Sequence, residues 1–135
     1  MFKYKENQPN MTIQTINEEF SVCKVTDYGG INLSAPFVFT GSTDEENSLV
    51  CPVRMVPENV IERNDGWRAF RVSGTLDLSL VGILADLSRV LAEGNVGIFA
   101  ISTFNTDYIL TKSEDFAMAA ELLARAGYSL ENNSL

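Results

Sequence analysis

Apolar and polar residues alternate with period two at Thr12 to Ile16 and again at Trp67 to Ser73, short apolar runs mark other extended segments, and the period lengthens to that of a helix in two places. Thr12-Ile13-Gln14-Thr15-Ile16 alternates, Asn17-Glu18-Glu19 supplies turn residues, and Phe20 to Val25 is a second extended run, so this stretch predicts a first hairpin. Thr26 to Pro36 is crowded with Asp27, Gly29, Gly30, Asn32 and Ser34, which predicts a loop or one helical turn. Phe37 to Thr40 and Ser48 to Val53, separated by the acidic turn Ser42 to Asn47, predict a second hairpin. Pro57-Glu58-Asn59 opens a short turn of helix at most, and Asn64-Asp65-Gly66 ends it, so a linker is expected there.

Trp67 to Ser73 predicts a strand with Phe70 and Val72 on one face and Ala69, Arg71 and Ser73 on the other. After the turn Gly74-Thr75-Leu76-Asp77, Leu80, Leu84, Leu87 and Leu91 recur at helical spacing, with Ile83 widening the stripe and Asp86, Arg89 and Glu93 opposite. Asp77 or Ser79 can cap this helix, and Gly94-Asn95 supplies a left-handed exit. Val96 to Thr103 and Asp107 to Thr111 predict a third hairpin. A second helix is expected from about Ser113, with Phe116, Ala119, Ala120, Leu123 and Ala126 inward and Gly127 as its stop. Tyr128-Ser129-Leu130 then predicts a short last strand. From Trp67 onward the order is βαββαβ, the ferredoxin-like arrangement.

The second and third hairpins echo each other. Phe39-Thr40-Gly41-Ser42-Thr43 falls on Phe99-Ala100-Ile101-Ser102-Thr103 at an offset of 60, and Asn47-Ser48-Leu49-Val50 falls on Asp107-Tyr108-Ile109-Leu110. Val22, Cys23 and Val25 align with Ala69, Phe70 and Val72 at an offset of 47, which leaves the first helix of the second half without a counterpart. The fold class expected is therefore α+β, with two ferredoxin-like (βαββαβ) units, the first with eroded helices. Residues 1–11 are expected as a flexible tail, 12–64 as the degenerate unit and 65–135 as the complete one.

Composition narrows the chemistry. A formal charge of −8 and scattered Lys and Arg leave nothing to track a phosphate backbone, so no nucleic acid is expected. Apolar runs are too short to cross a bilayer and the first ten residues lack a signal-peptide core, so no membrane is expected and the cytoplasm is the default compartment. The chain has no histidine and two cysteines, which removes the common zinc sets and the Ser-His and Cys-His pairs. No cofactor, metal or catalytic residue is assigned. Cys23 and Cys51 each sit in a strand-like run and are expected as free, buried thiols in a reducing compartment.

Two segments carry a resemblance. Phe70-Arg71-Val72-Ser73-Gly74-Thr75-Leu76-Asp77-Leu78-Ser79-Leu80-Val81-Gly82, followed by Ile98 to Leu110 with its Ser102-Thr103-Phe104-Asn105-Thr106-Asp107 turn, resembles a tandem ACT-domain protein over residues 12 to 130. It is similar to the small bacterial ACT proteins related to aspartate-kinase regulatory domains and, more distantly, to the cytosolic arginine sensor of animals. The resemblance implies a non-catalytic module that binds a small effector, commonly an amino acid, and associates as a homodimer or an internal pair. It implies ligand contacts at Ser73, Gly74, Thr75, Leu76, Asp77, Ser102, Thr103, Phe104, Asn105, Thr106 and Asp107. The first unit departs from that pattern, with Asn47 where the second has Asp107 and no Gly-x-Leu-Asp turn.

The residue types suit that ligand. Backbone amides ahead of a helix receive a carboxylate, and glycine lets a ligand approach them. Asp107 or Asp77 can accept the ammonium, and two or three charge-assisted bonds of about 1.5–3 kcal/mol each support micromolar affinity. The same residues also have structural uses: Asp77 as a helix cap, Gly74 and Gly82 in close packing, and Asn105-Thr106-Asp107 as a plain turn. Two other classes stand beside the sensor. One is an interaction module with no ligand. The other is a phosphatase of ferredoxin-like fold, poorly matched because Arg71 precedes an acidic turn instead of a phosphate loop.

Overall fold

The computed structural model describes residues 11–73 and 82–133, which form two compact units. The smaller runs from Glu18 to Trp67, and the larger combines residues up to Asn17 with residues from Arg68 onward. The expected tail, the Gly74-Thr75-Leu76-Asp77 turn, the Ser79 cap and Leu80 lie outside the described residues, apart from Met11.

Two expectations are corrected. Thr12–Val25 (β1) is one strand, not a hairpin, and Val60–Val72 (β4) is one strand that runs through the expected linker. Asn17-Glu18-Glu19 contains no glycine to supply the positive φ that tight hairpin turns need. Each half of β1 instead finds a distant partner: Phe20 to Val25 pairs antiparallel with Asn47–Pro52 (β3), while Thr12 to Ile16 pairs parallel with Ser129–Asn133 (β7). In β4, Gly66 takes a φ of 87°, a conformation glycine adopts without strain, and the strand continues through it. No helix forms at Pro57; the Val60 amide bonds the Pro57 carbonyl at 3.3 Å to make a turn, and a single 3-10 turn occupies Val53–Met55.

In the smaller unit the strand order is β2-β3-β1-β4, where β2 is Phe39–Ser42. Its core joins Cys23, Val25, Ile31, Leu49 and Cys51, covered by Tyr28, Val38 and Val56 from loops, Met55 from the 3-10 turn and Val60 from the start of β4. The loop is ordered by polar side chains: Asp27 Oδ1 accepts from the Gly29 amide at 2.8 Å, Asn32 Oδ1 from the Ser34 amide at 3.0 Å, and the Tyr28 hydroxyl donates to the Ser48 carbonyl at 2.8 Å. Both cysteines are free and buried on this one core. Cys23 lies opposite Leu49 and Cys51 opposite Ser21, so the thiols are diagonal neighbours, roughly 7–8 Å apart at the backbone and beyond the reach of an unstrained disulfide.

In the larger unit the order is β5-β6-β4-β1-β7, where β5 is Phe99–Ser102 and β6 is Asp107–Lys112. Two helices, Ile83–Glu93 (α1) and Phe116–Arg125 (α2), supply the βαββαβ order expected from Trp67 onward. Within that order β1 lies between β4 and β7, so the last strand reaches the sheet through residues from the far end of the chain. Leu87 and Leu91 of the expected stripe are buried with Ile83 and Val90, against Ile13, Phe70, Val72, Ile109, Ala119 and Leu123. Burying each such side chain contributes about 1.5–3 kcal/mol.

Helix ends follow the sequence signals in part. Asn95 at φ 65° and Gly127 at φ 107° turn the chain out of α1 and α2. α1 opens at Gly82, φ 94°, with no side-chain cap, and α2 is preceded by a 3-10 turn at Ser113–Asp115. The Tyr128 hydroxyl donates to Asp86 Oδ2 and ties the segment after α2 to the start of α1; burial, then this bond, pushes the phenol well above its usual range. None of the helices described is long and apolar enough to cross a membrane.

Candidate functional site

The hairpin β5–β6 pairs Phe99 with Leu110 and Ser102 with Asp107, so Thr103 to Thr106 form its tip. The turn is closed by the Thr103 amide donating to the Thr106 carbonyl at 2.8 Å, and by the Thr103 hydroxyl to the same oxygen at 3.0 Å. At its base the Ser102 hydroxyl donates to Asp107 Oδ1 at 2.7 Å. Ser102, Thr103, Phe104 and Asn105 are exposed and Asp107 is half-buried, whereas Thr106 is only 6% exposed.

Thr106 explains how the tip is placed. Its hydroxyl donates to the Val72 carbonyl at 2.7 Å, which fastens the turn to the end of β4. Ser73, the next residue, is itself held by its amide donating to the Thr12 carbonyl at 2.9 Å. Ser73 and the 102–107 turn are therefore brought together, while Gly74, Thr75, Leu76 and Asp77 lie outside the described residues. The arrangement offers one carboxylate, four hydroxyls and an exposed aromatic ring beside the end of a central strand.

The smaller unit carries the same hairpin with other side chains. Phe39 pairs with Val50 and Ser42 with Asn47, a register identical to that of β5–β6 at an offset of 60. The Thr43 amide donates to the Glu46 carbonyl at 2.9 Å, and the Ser42 hydroxyl to Asn47 Oδ1 at 2.9 Å. Asn47 also donates through Nδ2 to the Thr26 carbonyl at 3.0 Å, a bond a carboxylate at that place cannot make. Both β3 and β6 run into a 3-10 turn at the matching positions.

A polar ladder was not anticipated from the sequence, which placed Arg71 with Ala69 and Ser73 on the face opposite Phe70 and Val72. Arg71 Nε donates to Gln14 Oε1 at 2.9 Å and Nη1 to the Tyr108 hydroxyl at 3.3 Å, and Gln14 Nε2 donates to Glu131 Oε1 at 2.9 Å. These side chains link β6, β4, β1 and β7. The alternation that set Arg71 beside Ala69 and Ser73 was the available signal, but Gln14 and Glu131 become its neighbours only through long-range pairing.

Residues 62–125 match the family model described as ACT domain. The match spans a little under half of the chain, and the larger unit has a ferredoxin-like fold similar to that of aspartate-kinase regulatory domains. Among solved structures it is similar to a protein of Agobacterium tumefaciens at 29% identity and a TM-score of 0.80, covering 94% of this chain and 96% of that one. It also resembles the Clostridium acetobutylicum aspartate kinase, at 15% identity and a TM-score of 0.62 over 86% of this chain and 33% of the kinase. The regulatory subunit of aspartate kinase from Thermus thermophilus, in its ligand-free form, aligns at 9% identity and a TM-score of 0.54, with 84% and 95% of the two chains covered. A search of curated proteins finds no match to this sequence.

Proposed function

We propose that this protein is a non-catalytic regulatory module of the ACT type that binds a free amino acid in its larger unit and works in the cytoplasm as a homodimer. The effector lies against Ser73 and Ser102 to Asp107, with its ammonium on Asp107 and its carboxylate on the Gly74 to Asp77 amides. The observation that carries the reading is the Thr106 bond to Val72, which holds the turn at the end of β4 while leaving the carboxylate of Asp107 to a neighbouring residue. The smaller unit is a degenerate ACT copy, supported by its matching hairpin register, and its Asn47 is committed to Ser42 and Thr26. The two free buried thiols suit a reducing compartment.

The test is calorimetry and thermal shift with each free amino acid. A specific effector raises the unfolding temperature in proportion to its saturation; no heat and no shift with any of them sinks the reading. The second reading is an ACT-like interaction module without a ligand. It is favoured by one contact, the Ser102 hydroxyl already bonded to Asp107 Oδ1, which an incoming ammonium has to share or displace.

A further inference from the structure

Asp65–Gly66 is the one place in the sequence where an aspartate or asparagine precedes a glycine. At such a junction no side chain stands on the following Cα, so the glycine nitrogen can reach the side-chain carbonyl carbon of the residue before it. The structure leaves that approach open. Gly66 takes a φ of 87°, and a Cβ built on it would meet nothing within 4 Å. The Asp65 side chain is 43% exposed, so water has access to it. The preceding junction is held differently: Asn64 is followed by an aspartate, and its Oδ1 accepts from Trp67 Nε1 at 3.1 Å.

A restraint acts on Asp65 as well. Arg63 lies two positions earlier on the same face of β4. Its Nε and Nη2 donate in parallel to Asp65 Oδ1 and Oδ2, each at 3.1 Å. This fork holds both oxygens, so the carboxylate cannot swing over the Gly66 nitrogen without breaking two bonds together. The same bonds, with the Ser21 hydroxyl as a lesser cause, hold the Asp65 carboxyl below its usual range, whereas ring closure needs the neutral acid. Exposed ion pairs contribute little to stability; the use of this one is chemical.

We propose that Asp65–Gly66 is a latent isoaspartate site and that Arg63 guards it. The Gly66 nitrogen bonds to the Asp65 side-chain carbon, the C–O bond breaks, and the hydroxyl leaves as water with the amide hydrogen, giving a five-membered succinimide. Water then adds to one of the two ring carbonyls. Opening on one side restores aspartate, and opening on the other routes the main chain through Cβ. The second product adds a methylene to β4 and puts the residues beyond it out of phase with their faces. This chemistry needs neither an effector nor a second copy of the chain.

The test is to age the full chain for several weeks at neutral pH and to locate isoaspartate by peptide mapping with electron-transfer fragmentation, which separates it from aspartate at equal mass. In the wild type the product is expected to form slowly, and at Asp65 before any other residue. Arg63→Gln raises the rate there roughly fivefold or more, and Arg63→Lys, which keeps the charge but loses the fork, falls between the two. Asp65→Glu abolishes the product, because the six-membered ring it requires closes far more slowly. Arg54→Gln removes another exposed ion pair of the same unit and leaves the rate at Asp65 unchanged. Equal rates in the wild type and Arg63→Gln, or an equal rise in Arg54→Gln, would overturn the guard. Isoaspartate appearing first at another residue, or none at Asp65 even in Arg63→Gln, would overturn the site.

Discussion

The hairpins β2–β3 and β5–β6 have one backbone and two chemistries, and the difference shows how a structural duty can change residues. Both tips must be fastened to the end of the preceding strand. In the smaller unit Asn47 does this through its amide, donating to Thr26 while accepting from Ser42. In the larger unit the fastening bond starts one residue earlier, from the Thr106 hydroxyl to Val72, and the position equivalent to Asn47 is a carboxylate. Asp107 is thereby relieved of the bond to the preceding strand while still accepting from Ser102, and that partial release is the condition under which a side chain can serve a ligand.

Five measurements break or sharpen this comparison. The largest effect is expected from removing residues 1–17: β4 and β7 lose the strand between them, and the cooperative unfolding of the larger unit disappears in circular dichroism. Leu123→Ala, at the fully buried centre of the helix-covered core, costs about 2–5 kcal/mol by denaturant titration. Leu49→Ala in the loop-covered core falls toward the lower end of that range, because loops collapse onto a cavity more readily than helices do. Thr106→Val leaves the Val72 carbonyl without its partner and costs about 1–3 kcal/mol; Glu46→Gln at the matching place changes stability by under about 0.5 kcal/mol, as exposed positions do.

Asp107→Asn installs the residue of the other turn, so stability changes by less than about 0.5 kcal/mol while amino-acid affinity falls at least tenfold. Equal loss of both would show that Asp107 still holds the turn. The smallest effect is a pH slope. Burial, with Cys23 nearby, pushes the Cys51 thiol from 9.0 up to about 11, while the matching position in β6 is Thr111, which does not titrate. Below pH 9 the thiol is protonated in both states and stability is whole. Between pH 9 and 11 the unfolded chain ionises first, so stability falls with rising pH. Hydrogen exchange should locate the loss that begins near pH 9 in the smaller unit, and Cys51→Ala should shallow it, the remainder coming from Cys23 and, above pH 10, from Tyr128 in the larger unit, whose ionisation burial also opposes.

Elements built from local contacts were legible in the sequence. The stripe at Leu84, Leu87 and Leu91, the exit at Asn95, the stop at Gly127 and the two echoed hairpins all depend on neighbours within a few residues. The strands β1 and β4 were not, because the residues that read as breaks, Asn17-Glu18-Glu19 and Asn64-Asp65-Gly66, are overruled by partners far along the chain. The candidate turn could be named from Ser102 to Asp107, and its exposed and buried members could not be told apart. Thr106 looked like one more turn residue until Val72 lay beside it. The Arg71 ladder was hidden for the same reason.

The placement of β1 also governs how the chain can be made. Thr12 pairs with Ser129, 117 positions later. At roughly 5–20 residues per second, a ribosome takes about 6–23 s to deliver that partner. Until then the first strand of the larger unit has β4 on one side, about sixty residues on, and an open edge on the other, whereas Phe20 to Val25 meets β3 within some thirty residues. The smaller unit can therefore assemble while the nascent chain is still growing, and the larger one only after release of its last strand. A protein of this plan depends on its opening segment staying soluble, and the charged, proline-containing residues Lys3, Lys5, Glu6 and Pro9 ahead of that strand are the sort of flank that discourages premature pairing with other chains.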